Sequence, residues 1–332
     1  MKKQIIAAAV AASVSSVALA DISITGAAKV NYTNVDVETA STPDTNKFTQ
    51  ETDIKIKGKS GDTEVVINFG GGSLDNTLST SDSRSGSATN QMNVEDVYVT
   101  TKVSGVSIKA GTWDNGNNEL RGSSRADGKF QAGTSIGGLN LGLLTGSNGA
   151  SQEEFTVGTN LGGVALSYTK KTAGETVKAS TTVGGVALKY LGLPSDTANS
   201  DRTYVEASGE FSGVNVKVGK ASADSAARLD GDTWLGDFEG NTSGDTMYLT
   251  AGQDIFGVEL STSMAGNKVA FRNVSVDDAT TGGSAHDTDI NKIIVTRPLA
   301  SGATFELTYT DTDDAQSGKD TSALDLELAV KF

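Results

Sequence analysis

The chain has 332 residues, with 27 Lys and Arg against 41 Asp and Glu for a net charge of −14, and it contains 39 glycines, three prolines and no cysteine. Apolar residues make up only 36%, below the usual ~45–50%, and glycine stands near 12% against an average of roughly 7%. Such a chain does not build a helical enzyme with a large dry core. It has no thiols for disulfides or metal sites, and its acidity offers no attraction to a phosphate backbone, so no nucleic-acid partner is expected.

The chain opens as an address. Lys2 and Lys3 precede an apolar stretch from Ile5 to Val17, and Ala18-Leu19-Ala20 follows. This is the basic, apolar and small-residue order of a cleaved secretory signal exported through the Sec pathway. The stretch is too short for the ~20 residues of a membrane helix. Residues 1–20 are therefore expected to be removed, leaving 21–332 as a single domain, and losing two lysines takes the charge to −16.

From Asp21 onward apolar residues recur at every second position. Ile22, Ile24, Ala28, Val30 and Tyr32 share one face while Ser23, Thr25, Lys29 and Asn31 share the other, the period of a β-strand. The pattern returns in Val65, Ile67, Phe69; in Val106, Ile108, Ala110; in Leu139, Leu141, Leu143; in Leu166, Tyr168; in Leu188, Tyr190; in Val214, Val216, Val218; in Phe305, Leu307, Tyr309; and in Leu324, Leu326, Leu328, Val330, Phe332. Disordered chains carry no such alternation. Each run approaches the ~9–11 residues with which a tilted strand crosses a bilayer.

The connections alternate in kind. Ser104-Gly105, Gly137-Gly138, Gly162-Gly163, Gly184-Gly185, Ser212-Gly213 and the single Gly257 read as tight turns. Segments 71–91, 113–128, 222–241 and 265–288 read as long polar loops. In an up-and-down meander every second connection lies at the same end, so one rim is short-turned and the other long-looped, as in outer-membrane barrels. With Lys59-Ser60-Gly61 and residues 298–302 added, eight short turns imply eighteen strands. Pro43, Pro194 and Pro298 fall in connections, where no ladder hydrogen bond is lost. A secreted sandwich or adhesive β-protein would also alternate. Two features favour lipid on the apolar side: the other face is Ser, Thr, Asn, Gly and isolated charge, and aromatics such as Phe155, Tyr168, Tyr190, Phe211, Phe256 and Phe332 gather at strand ends, as girdles require.

The leader, the first strand Asp21-Ile22-Ser23-Ile24-Thr25-Gly26, the hairpin Val103-Ser104-Gly105-Val106-Ser107-Ile108-Lys109-Ala110-Gly111 and the ending Leu328-Ala329-Val330-Lys331-Phe332 resemble Gram-negative general porins. The resemblance implies an all-β transmembrane barrel of sixteen strands in the outer membrane, two fewer than the turns give. It also implies a homotrimer set in lipid and lipopolysaccharide, and a passive diffusion channel for small hydrophilic solutes and ions, not an enzyme. Phe332 resembles the family's signal to the barrel assembly machinery. The third external loop of that family folds inward, and here it corresponds to residues 113–128. Asp114, Glu119 and Asp127 would then supply carboxylates at the constriction with Arg121 and Arg125 beside them, while Lys29, Lys55, Lys57, Lys102 and Lys109 would line the facing wall. Family members often carry Pro-Glu-Phe-Gly-Gly at the loop tip; Asn118-Glu119-Leu120-Arg121-Gly122 keeps the glutamate and one glycine.

Opposed charges across a narrow aqueous gap would orient dipolar solutes and penalise apolar ones. Acidic loops predict a mild preference for cations, which the lysines oppose. A substrate-specific channel would need aromatics along the interior, and the pattern discloses none. Asp311-Thr312-Asp313-Asp314, Asp277-Asp278 and Asp237-Phe238-Glu239 read as acidic outer loops; loosely held Ca²⁺ or Mg²⁺ is the only ion they suggest, since none has the spacing of a calcium loop. The single histidine, His286, stands in a loop-like context without a G-x-S-x-G motif, so no catalytic site and no cofactor are expected.

Overall fold

In the computed structural model residues 21–37, 45–71, 76–77, 92–114, 120, 125–146, 153–172, 174–227, 234–235, 252–278, 287–314 and 320–332 are described. The described elements are all strands: β1 (Asp21–Val37), β2 (Thr45–Ser60), β3 (Thr63–Gly71), β4 (Asn76–Thr77), β5 (Met92–Val103), β6 (Val106–Asp114), β7 (Arg125–Ile136), β8 (Leu139–Gly146), β9 (Glu154–Leu161) and β10 (Val164–Lys171). Around the second half run β11 (Gly174–Val183), β12 (Val186–Leu193), β13 (Arg202–Phe211), β14 (Val214–Ala223), β15 (Gln253–Met264), β16 (Asn267–Asp278), β17 (Thr288–Pro298), β18 (Ala303–Asp314) and β19 (Thr321–Lys331). Each pairs antiparallel with its neighbours, and β1 closes the sheet onto β19. The two-residue β4 pairs only with β2, and β3 passes directly to β5. The wall is therefore a closed barrel of eighteen strands, as the turns indicate, and not the sixteen that the family resemblance implies.

Six of the eight short connections are two-residue turns with positive φ at both positions, from Ser104 (φ 50) and Gly105 (φ 84) to Ala265 (φ 51) and Gly266 (φ 77). This mirror-image turn matches the twist of the flanking strands. One expected turn is misplaced. Gly257 lies inside β15, and the hairpin closes at Ala265-Gly266 instead, so 265–288 is not one long loop but a tight turn, β16 and a shorter connection. The reason is chemical: Ala265 adopts a left-handed conformation that alanine pays for, so its sequence carries no turn signal. Asp277, Asp278, Asp311 and Asp313 are likewise strand residues of β16 and β18. Asp237 and His286 lie outside the described residues.

The seam is closed by the last residue. Gly26 N–H donates to the Phe332 carbonyl at 2.8 Å and Phe332 N–H donates back at 3.0 Å. A Cβ on Gly26 would stand 2.5 Å from Phe332 Cζ, so only glycine lets the terminal ring lie across the first strand.

Large apolar side chains crowd the exposed face, among them Leu161 at 71%, Val183 at 63% and Leu328 at 45%. A fold that left these to water would waste its main driving force. Phe211, Phe305 and Phe332 mark the short-turned rim; Phe155, Tyr168, Tyr190 and Phe256 lie toward the other. Opposite residues of an antiparallel ladder share a face, so the register fixes the inward set: Lys29 faces Glu51, Lys57 faces Ser23 and Val66, Lys109 faces Thr100 and Gln131. The polar side encloses the lumen.

The lumen as candidate functional site

Lys29, Lys55, Lys57, Lys102 and Lys109 all lie on the inward face, where the alternation puts them. They do not stand as a purely basic wall. Lys29 Nζ lies 2.7 Å from Glu51, and Lys57 Nζ lies 3.8 Å from Glu64. Asp53 and Asp96 share the same inward parity. Sequence reasoning looked for the carboxylates on the loop, whereas this wall carries its own. Both pairs are well exposed, so each contributes at most about 1 kcal/mol, and their effect is on the field within the lumen.

The root of the connection between β6 and β7 is built by aromatics. Lys109 Nζ sits 3.9 Å from the Tyr98 ring centroid and 4.3 Å from that of Trp113, while the two rings meet edge-on at 6.2 Å. Lys129, only 2% exposed, donates to the Trp113 carbonyl at 2.7 Å. Asp114 N–H donates to Asp96 Oδ1 at 3.1 Å, and Asn68 Nδ2 donates to the other oxygen at 2.6 Å. The ladder slips between Gly111 and Trp113, and such a bulge re-aims a strand end. The packed cation and the bonded carboxylate hold that end in place.

Beyond this root, residue 120 is the described part of the connection. Leu120 is fully buried, and its carbonyl accepts a hydrogen bond of 3.0 Å from Arg202 Nη1 on β13, 82 residues away. The third connection therefore lies against the inner wall at residue 120. Of its other expected charges, Glu119 and Arg121 lie outside the described residues; Arg125 and Asp127 are placed in β7 by their backbone only. Asp114 ends β6 at the root.

Leu120 lands in an apolar cluster on the inner wall, formed by Leu191, Tyr204, Ala221, Ile255, Val274, Val276 and Ile290. A second insertion joins it there. Leu235, 1% exposed, and the partly buried Trp234 pack on the same wall. Trp234 Nε1 donates to Tyr204 Oη at 2.9 Å and to Glu206 Oε2 at 3.1 Å, and Tyr204 Oη donates to the same carboxylate. Below this patch Glu259 binds Arg272 at 2.9 Å and Lys217 at 3.6 Å.

The expectation of an interior without aromatics is therefore corrected. Both tryptophans and two tyrosines, Tyr98 and Tyr204, lie on the inner side of the wall, with Trp113 and Tyr204 buried there. A sequence signal was available: β12 and β15 are apolar on both faces, as in Leu188-Lys189-Tyr190-Leu191 and Ile255-Phe256-Gly257-Val258, which a simple lumen wall does not need.

No protein-family model and no curated protein matches the chain. Solved structures do. Acinetobacter baumannii OccAB4 is 11% identical with a TM-score of 0.65, covering 94% of this chain and 98% of its own. Pseudomonas aeruginosa OpdQ is 12% identical with a TM-score of 0.65, covering 95% and 99%. A BenF-like porin from Pseudomonas fluorescens Pf-5 is 14% identical with a TM-score of 0.61, covering 94% and 98%. These similarities define the chain as a closed membrane-type β-barrel; at such identities they extend to the fold alone.

Proposed function

We propose that the protein is an outer-membrane pore of a Gram-negative bacterium through which small hydrophilic solutes and ions diffuse. The observation that carries this reading is the inverted barrel: apolar side chains outside, polar ones lining most of the inside, with Leu120 of the β6–β7 connection held on the inner wall by Arg202. An eighteen-stranded wall is wider than side chains from the wall alone can fill, and a connection folded into it narrows a passage without closing it. The porin among the similar structures supports the same reading. Discrete ion-conducting openings from purified protein in planar bilayers are expected, and a protein that inserts yet never conducts would refute it.

The charged inner wall favours a selective channel over an unselective one. Lys29, Lys55, Lys57 and Lys102 stand there beside Glu51, Asp53 and Glu64, and fixed charges of both signs bind a polar solute transiently, which slows one solute and lets another pass. Swelling of protein-loaded liposomes in sugars, amino acids and carboxylates of equal size separates the two. Rates that follow size alone would favour unselective diffusion. The homotrimer implied by the resemblance belongs to the same proposal, and sizing of the detergent-extracted protein tests it.

A further inference from the structure

The inner wall contains a notch that only glycine makes possible. Gly219 of β14 and Gly257 of β15 are direct cross-strand partners, both on the inward face. A Cβ on Gly219 would come within 2.8 Å of Trp234 Cζ2 and 3.2 Å of Leu235 Cδ1; on Gly257 it would come within 2.3 Å of Leu235 Cδ2 and 3.0 Å of Trp234 Cζ3. Neither glycine has positive φ, so backbone conformation does not demand them. Glycine in the middle of a strand weakens it and marks a place where something else approaches closely. Here the visitors are Trp234 and Leu235.

We propose that the Gly219–Gly257 notch is a seat for Trp234 and Leu235, and that this seat sets the free cross-section of the lumen on the β12–β17 side. The proposal rests on the pore reading for its consequence but not for its geometry. Three independent contacts hold the visitor. The indole lies in the notch, its N–H is shared between Tyr204 and Glu206, and Lys217 Nζ stands 5.1 Å from its ring. Leu235 belongs to the same cluster as Leu120, so the seat also backs the tip of the β6–β7 connection. Two segments more than a hundred residues apart meet on one dry patch, and each covers apolar surface that the other would leave wet.

Two measurements test it. In Trp113→Phe protein Trp234 is the sole tryptophan, and acrylamide quenching reports its shelter without any reference to conduction. A low quenching constant is expected, rising about threefold in the added Gly219→Leu/Gly257→Leu background as the ring is expelled. In protein retaining Trp113, single-pore conductance is expected to rise both in the leucine pair and in Trp234→Ala; the alanine variant leaves the barrel strands untouched and serves if the leucine pair does not fold. A Trp234 quenched as freely as tryptophan in solution overturns the seat, whatever the pore conducts. Expulsion of the ring with unchanged conductance overturns the control of cross-section and leaves the pore reading standing. A wild-type protein that never conducts refutes the pore reading and the control of cross-section together, and the quenching still decides whether the seat exists.

Discussion

On β1 to β6 the inward positions include Lys29, Glu51, Asp53, Lys55, Lys57, Asp96, Lys102 and Lys109, whereas on β12 to β17 they include Leu191, Ala221, Ile255, Val274, Val276 and Ile290. One wall obeys the barrel rule of polar residues inside; the other breaks it toward its long-looped end, while Lys217, Glu259 and Arg272 keep to it nearer the short turns. The break coincides with the place where Leu120, Trp234 and Leu235 arrive. Apolar residues inside a wet lumen would be costly, so they occur only where something covers them. The lumen is thus two-sided: a solvated, charged face and a dry face that holds the narrowing elements. In the proposed pore, solutes pass along the solvated side, past residues that a count of charge alone does not single out.

The largest break in this contrast comes from putting charge on the dry face. Val276 is 2% exposed, and Val276→Asp buries a carboxylate without a partner, for about 4 kcal/mol or more. A steep fall in the urea midpoint of the detergent-folded protein is expected. A midpoint near wild type would mean that water already reaches the cluster and the wall is not dry.

Leu120→Ala comes next. Truncating a fully buried leucine costs about 2–5 kcal/mol where the site does not collapse, and here much of that cost falls on docking of the β6–β7 connection rather than on the barrel. Larger and noisier single-pore currents are therefore expected, with a smaller drop in midpoint than Val276→Asp gives. Quiet currents of wild-type size would show that the root at Lys109, Trp113 and Lys129 holds the connection alone.

The same contrast explains what the sequence could and could not disclose. The turn count is legible because Gly137-Gly138 or Ser212-Gly213 occupies a conformation that few other residues tolerate, and the chain must announce it. Gly257 misleads because glycine has two uses. It permits positive φ in a turn, and it permits close approach in a strand; composition does not distinguish them. The inward lysines follow from period two, but their partners Glu51 and Glu64 come from neighbouring strands, and register is a tertiary fact. Leu120 and Trp234 are invisible for a stronger reason, because a loop residue has no periodicity to betray which wall it will meet.

A smaller effect isolates local strain from the lumen altogether. Ala265 holds φ 51 in the β15–β16 turn, and Ala265→Gly removes a left-handed penalty of about 1 kcal/mol. The entropy that glycine adds to the unfolded chain offsets part of the gain. A slight rise in urea midpoint with unchanged conductance is expected, and a fall would mean that the turn is not strained.

The smallest change in stability falls on the wet wall, and there the functional contrast is sharpest. Lys55 and Lys102 face the lumen on β2 and β5, and Lys102 is exposed, so Lys55→Gln/Lys102→Gln alters stability within about 0.5 kcal/mol. The field responds differently. Within a narrow lumen with low-dielectric walls, two positive charges repel cations over a Debye length of about 8 Å, a distance comparable to the passage itself. Their removal leaves Glu51, Asp53 and Glu64 less opposed, and the reversal potential in a salt gradient is expected to move toward cations. The shift should shrink at high salt, because screening shortens the reach of each charge. A reversal potential that stays put at low salt would mean that ions cross elsewhere, past the dry face, and the assignment of the two walls would have to be exchanged.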